Sequence, residues 1–187
     1  HTTEVAGTAL VYSGDDRIYQ NIFLGGAPTY TEQSLYGTDG YNGRPTSLEE
    51  YVHQIVSLGN GDHEQFDTVK QPVYINGNAY LKGAGAFDRE KDYYISDSDP
   101  AISIVTEGGK TYLFITVDQG LLEIPSEIYS TEKLGSPRIT EALYENPDGT
   151  PILFDRDYID RKRGEHPIAG PFEELHPGEN RFLVWEE

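Results

Sequence analysis

Chemistry is on offer from the first residue. His1 could chelate copper through a free amine and its ring, if a second imidazole joined it. His53, His63, His166 and His176 supply imidazoles, but their spacing marks no ligand set. Asp97-Ser98-Asp99 and Asp155-Arg156-Asp157-Tyr158-Ile159-Asp160 resemble oxygen-ligand clusters, and calcium takes about six to eight oxygens. Neither stretch has the Gly and terminal Glu of an EF-hand loop. The interleaved Arg156, Arg161, Lys162 and Arg163 point instead to local ion pairing. A glycosidase needs two carboxyls about 5 to 9.5 Å apart across the scissile bond. With 32 Asp and Glu, spacing alone selects no pair. There is no nucleophile-elbow motif. Gly25-Gly26 and Gly83-Ala84-Gly85 lack the following helix that a phosphate or dinucleotide loop requires. No cofactor and no metal are therefore expected.

Composition narrows the partners. Lys plus Arg number 14 against 32 Asp plus Glu, a net charge of −18. Nucleic-acid binding rests on basic contacts to phosphates, so such a surface argues against it, and likewise against an anionic membrane. It is compatible with neutral sugars, with cations, or with solubility alone. There is no Cys, hence no disulfide, thiolate metal site or Cys nucleophile. No apolar run approaches the ~20 residues of a spanning helix. The 14 Tyr, 7 Phe and single Trp suit strands with half-buried faces.

The elements that would position such groups are mostly strands. Residues 8–12 and 17–24 read as two strands around a Gly14-Asp15-Asp16 turn, with Asp15, Asp16 and Arg17 forming a local ion pair. Residues 27–46 read as loop. Residues 47–58 form the one convincing helix: Ser47 and Glu50 have the capping-box form, and Leu48, Tyr51, Val52, Ile55 and Leu58 repeat at helical spacing before Gly59. In residues 72–81, Asn76-Gly77 separates two apolar runs. It marks either a hairpin or a corner in a coiled β-solenoid. Residues 83–100 read as loop. Residues 102–117 form the clearest hairpin, around Glu107-Gly108-Gly109-Lys110. Short strands are expected over 120–145, with a turn at Leu134-Gly135-Ser136-Pro137, and again at Ile152-Leu153-Phe154. Asn146-Pro147-Asp148-Gly149 reads as a turn, residues 167–177 as extended, and Arg181 to Trp185 as a final strand.

Several of these segments carry a resemblance. His1-Thr2-Thr3-Glu4-Val5-Ala6-Gly7 with Gly14-Asp15-Asp16-Arg17-Ile18-Tyr19-Gln20-Asn21-Ile22-Phe23 resembles a pair of rungs from right-handed parallel β-helix carbohydrate enzymes. Val73 to Tyr80 resembles another rung. Tyr144 to Ile152, Asp155 to Tyr158 and Gly170-Pro171-Phe172 are similar to the C-terminal end of these glycoside hydrolases. The likeness is to the β-xylosidase type of glycoside hydrolase family one hundred and twenty.

The resemblance implies an all-β chain of right-handed parallel β-helix rungs with a C-terminal β-rich cap and one short helix. Residues 1–86 would be terminal rungs, with the helix inserted at 47–58, and residues 87–187 the capping region. It implies the C-terminal portion of a retaining β-xylosidase acting on xylo-oligosaccharides. The nucleophilic Asp and acid/base Glu fall on no matching motif here and are expected upstream. His1 and Glu4 would line the sugar pocket. Because the sequence opens at His1 in a strand-like run with no Met, it is expected to be cut from something longer. Its partner would be the N-terminal remainder of the same enzyme, as a separate or missing chain, since each rung covers its neighbour's apolar end. The compartment, bacterial cytoplasm or secretion, stays open. The alternative is a non-catalytic carbohydrate-binding β module whose Tyr rings or Trp185 stack on sugar.

Overall fold

The computed structural model describes residues 16–26, 49, 50, 53, 56, 57, 73–87, 90–137 and 141–187. Of the helix expected at 47–58, the described residues Glu49, Glu50, His53, Val56 and Ser57 are helical. The strand expected at 8–12 lies outside the described residues.

Where one strand is expected over 17–24, the chain turns a corner. β1 (Asp16–Tyr19) and β2 (Ile22–Leu24) are separated by Gln20, whose φ of 57° is left-handed, and by Asn21. β3 (Val73–Asn76) and β4 (Asn78–Leu81) repeat this around Gly77, at φ 73°. Glycine adopts that conformation without the steric cost of a Cβ. Asn76-Gly77 is thus a corner and not a hairpin, because β3 and β4 do not pair with each other. β3 lies parallel on β1 with Tyr19 opposite Asn76, and β4 lies parallel on β2 with Ile22 opposite Ala79. β5 (Tyr93–Ser96) continues the second stack, with Asn78 opposite Tyr93, inside a stretch expected to be loop. The corners interlock: Ala79 N donates to Asn21 O at 2.8 Å, and Gly77 N to Asp92 O at 2.7 Å.

All four residues of β4 are buried. Side chains alternate across a strand, so one face carries Asn78 and Tyr80 and the other Ala79 and Leu81. On the first face, Phe23 stacks on Tyr80 at 5.1 Å, and Tyr80 meets Tyr93 edge-on at 6.4 Å. Glu90, 5% exposed, accepts from Asn78 N at 3.1 Å, Asn78 Nδ2 at 2.8 Å and the Tyr80 hydroxyl at 2.5 Å. A carboxylate this deep needs such donors. Asn78 Oδ1 in turn accepts from Asn21 N at 2.8 Å and Asn21 Nδ2 at 3.0 Å, and Asn78 Nδ2 also donates to Ile18 O at 3.2 Å. One side chain ties β4 to the β1–β2 corner and to Glu90, three residues before β5.

The other face joins a second sheet. β6 (Ser103–Glu107) and β7 (Lys110–Val117) form the expected hairpin over Gly108 and Gly109, at φ 58° and 78°. Positive φ at both central positions is the type I′ requirement. β8 (Gly178–Glu186) extends the expected final strand and pairs antiparallel along β7. Ala79 and Leu81 share a core with Ile115, Val117, Phe182, Leu121, Ile124, Ala169, Phe172 and Leu175. Phe172 and Phe182 stack at 3.9 Å.

Instead of short strands, residues 119–134 hold two single-turn helices, α1 (Gln119–Leu122) and α2 (Thr131–Leu134). Ser130 caps α2, accepting from Lys133 N, and Gly135 stops it at φ 65°. Gly120 is required by contact: a Cβ there would lie 2.2 Å from Tyr94 Cε2. Ile152-Leu153-Phe154 makes a single bridge, Leu153 to Ser130, and no strand. Among the described residues, no helix is long and apolar enough to cross a membrane.

Candidate functional site

Corner residues and the 124–170 segment enclose a cleft of about 380 Å³. β1 contributes Arg17 and Tyr19, the corner Gln20 and Asn21, and the opposite wall Tyr129, Leu134, Tyr144, Ile152, Phe154 and Arg156. Tyr129 is 9% exposed and lies flat on Tyr19, with ring centroids 3.9 Å apart and planes 12° apart. The Arg17 guanidinium sits 3.8 Å over the Tyr74 ring and 5.4 Å from that of Tyr144, and Arg17 Nε donates to Leu134 O at 2.8 Å. Stacking on rings and a carbonyl contact suit guanidinium geometry.

The opposite wall is built by local pairing. Thr131 N donates to Ile152 O at 3.0 Å and Phe154 N to Tyr129 O at 2.9 Å. The Thr131 hydroxyl donates to Tyr144 O at 2.5 Å and accepts from Ile152 N at 2.7 Å, so one side chain joins three parts of the wall. The floor is held by Arg163, which donates to Ile168 O at 2.9 Å and Gly170 O at 2.7 Å and pairs with Glu173 at 3.4 Å. Gly170 N then donates to Gln20 O at 2.7 Å, fixing the floor to the corner.

Burial raises the pKa of Tyr19, with the Arg17 charge partly offsetting it. Burial also raises that of Tyr129, reinforced by Tyr19. Both phenols stay neutral at physiological pH and offer rings and hydroxyls rather than a base. Among the described lining residues there is no carboxylate. A second cavity of about 490 Å³, which shares Tyr19 and Tyr129 in its lining, does include one, Glu127, ion-paired to Lys133. The cleft therefore presents phenol rings, side-chain amides and guanidinium groups, and its described residues supply no acid/base pair.

His1 and Glu4, the residues expected in a sugar pocket, lie outside the described residues, as does His63. His53 is helical. His166 and His176 face backbone carbonyls, His166 Nδ1 lying 2.9 Å from Ser126 O and His176 Nδ1 3.1 Å from Pro177 O. No group of three His, Cys, Asp or Glu among the described residues is placed to hold a metal. The charged 155–166 stretch does pair locally: Arg156 with Asp160, Arg161 with Glu174, Arg163 with Glu173. Within it Asp157 is buried and clasps backbone, accepting from Ile159 N, Arg161 N and Glu173 N. Asp99 pairs with Lys82 at 2.6 Å, which holds its carboxyl below the usual range. Trp185 is 53% exposed on β8. Sequence reasoning missed Tyr19, Tyr129, Tyr144 and Arg156 as a group. The surplus of Tyr was the one available signal.

No family model matches the chain, and no curated protein does. Among solved structures it is similar to one described as the complex structure of XylC with xylose, at 42% sequence identity and a TM-score of 0.74. The likeness covers 93% of this chain and 27% of XylC, so this chain spans about a quarter of that protein's length.

Proposed function

We propose that this chain is a portion of a glycoside hydrolase acting on xylose-containing oligosaccharides, and that the Tyr19–Tyr129 cleft holds a sugar unit. The observation that carries this is the 42% identity to XylC, whose structure was solved with xylose, over 93% of the chain. In the finer reading the enzyme is a retaining β-xylosidase built on a right-handed parallel β-helix, with β6–β8 and their connections as the C-terminal cap. The two stacked corners, at Gln20-Asn21 and Gly77-Asn78, support the β-helix part, since parallel strands at one register step per level are its repeating unit. Right-handed crossover is the rule for such parallel connections. The nucleophilic Asp and acid/base Glu come from an N-terminal remainder of the same enzyme, and the cleft's lack of described carboxylates fits that division of labour.

The same lack of carboxylates favours a second reading, a carbohydrate-binding β module without catalysis. Two measurements separate them. Titration of the isotope-labelled chain with xylotriose should shift amides and ring signals around Tyr19, Tyr129 and Tyr144; no shift there would overturn the cleft assignment. Native mass spectrometry of the purified material should then show a second polypeptide that carries hydrolysis of an aryl β-xyloside when present and abolishes it when removed. Sugar binding with no hydrolysis in any assembly would leave the binding module standing.

A further inference from the structure

We propose that the cleft accepts a saccharide bearing a carboxylate, a uronic-acid-substituted xylo-oligosaccharide, and that Arg156 selects it. This deepens the saccharide reading above and rests on it. The chain carries −18 net charge, yet the described lining of the cleft includes Arg17, Arg156 and Arg163 and no acid. The three guanidinium groups are not equivalent. Arg163 is spent on the floor, where Ile168 O, Gly170 O and Glu173 take its donors. Arg17 is committed to the Tyr74 ring and Leu134 O.

Arg156 differs from both. Its Nη1 donates to Asp160 O at 2.8 Å and lies 3.3 Å from Asp160 Oδ1. Its Nε and Nη2 have no acceptor among the described residues. Those two N–H groups form one edge of the guanidinium, the parallel fork that takes both oxygens of a carboxylate. Asp160 does not neutralise the site: its side chain is 84% exposed and that of Arg156 56%, and a pair so open to water is held weakly. An incoming carboxylate would use the empty edge and leave the Asp160 contact in place. The aromatic wall beside it, Tyr129 and Phe154, offers the apolar surface that a sugar ring covers and a small free anion cannot.

The test is a calorimetric titration of the chain with three ligands: neutral xylotriose, the same oligosaccharide bearing one 4-O-methylglucuronic acid, and sodium acetate. The acidic oligosaccharide should bind about tenfold more tightly than the neutral one, the value of a single charge-assisted fork. Acetate should bind far more weakly than either. Arg156→Gln should bring the acidic-to-neutral ratio to about one, and Asp160→Asn, which removes the carboxylate that pairs with Arg156 among the described residues, should raise it. Equal affinities in the unmodified chain overturn the proposal while leaving the saccharide reading intact. Binding of the acidic ligand alone supports the proposal and removes the neutral-xylose reading. A ratio unchanged in folded Arg156→Gln, or acetate binding as tightly as the acidic oligosaccharide, overturns it.

Discussion

Replacing Asn78 with Ala tests whether the stacked corners are held by polar contacts or by apolar packing alone. The side chain is fully buried and makes four hydrogen bonds, two accepted from Asn21 and two donated, to Ile18 O and Glu90 Oε1. Truncation takes a partner from three groups that face Asn78: Asn21 N, Ile18 O and one side of the Glu90 carboxylate. Asn21 Nδ2 is exposed and turns to water. An unsatisfied buried group costs about 1–3 kcal/mol. The lower end applies, because Ile18 is only half-buried, Asn21 is an exposed residue, and Glu90 keeps Asn78 N at 3.1 Å. The expected loss is about 3–4 kcal/mol. At a typical slope of about 2 kcal/mol per molar urea, the unfolding midpoint falls by about 1.5–2 M. Equilibrium urea unfolding followed by circular dichroism measures it. Asn78→Asp is the companion: it keeps the acceptor for Asn21 but sets a second carboxylate against Glu90. The folded state would then hold a proton more tightly than the unfolded chain, so its stability should fall as pH rises above about 4. A loss under about 1 kcal/mol for Asn78→Ala, or no pH dependence beyond that of the unmodified chain for Asn78→Asp, would refute the reasoning.

Phe172→Ala should cost about 3–5 kcal/mol, since the ring is 2% exposed and stacked on Phe182; a thermal scan showing a shift of only a degree or two would contradict this. Gly120→Ala should cost about 1–3 kcal/mol by driving a methyl into the Tyr94 ring, and a stability within 0.5 kcal/mol of the parent would mean that Tyr94 yields freely. Above about pH 10 unfolding should set in and bring tyrosinate absorbance with it. Tyr19 and Tyr129 have raised pKa values when folded, so they bind protons that the unfolded chain has released, and their contribution is intact below pH 10 and lost as pH climbs through the folded values. Tyrosinate appearing in full before the far-ultraviolet signal changes would rule that out.

Local signals served well where the turn chemistry was decisive. Gly108-Gly109 between alternating strands can only be a tight hairpin, and it is one. Asn76-Gly77 left two outcomes, because a left-handed residue suits a hairpin and a corner alike, and only the pairing of β3 with a strand 57 residues earlier decides between them (73 − 16 = 57). The Gln20 corner was illegible because Gln is not a left-handed residue by preference; the stack imposes that φ, with Gln20 Nε2 bonded to Glu127 O at 2.8 Å. β5 was hidden by the Asp and Ser residues around it, and single-turn helices are too short to show a period. The cleft was beyond reach for another reason. Its walls come from residues near 20, 130, 145, 155 and 165, none of which forms a motif with its own neighbours.

The stacked corners also bear on how such a chain can change length. Ile22 and Ala79 occupy equivalent places one level apart and are 57 residues apart in sequence (79 − 22 = 57). Asn78 and Tyr93 are likewise one level apart but separated by 15 (93 − 78 = 15). The same vertical step of about 4.8 Å is thus taken with excursions that differ almost fourfold. Ring-closure entropy makes the longer excursion dearer by only about 1.2 kcal/mol. What is conserved from level to level is the landing point of the strand, and the path between landings is close to free. The stretch between Leu24 and Val73 is therefore the place where an engineer could splice in a module while leaving the paired strands on either side where they are.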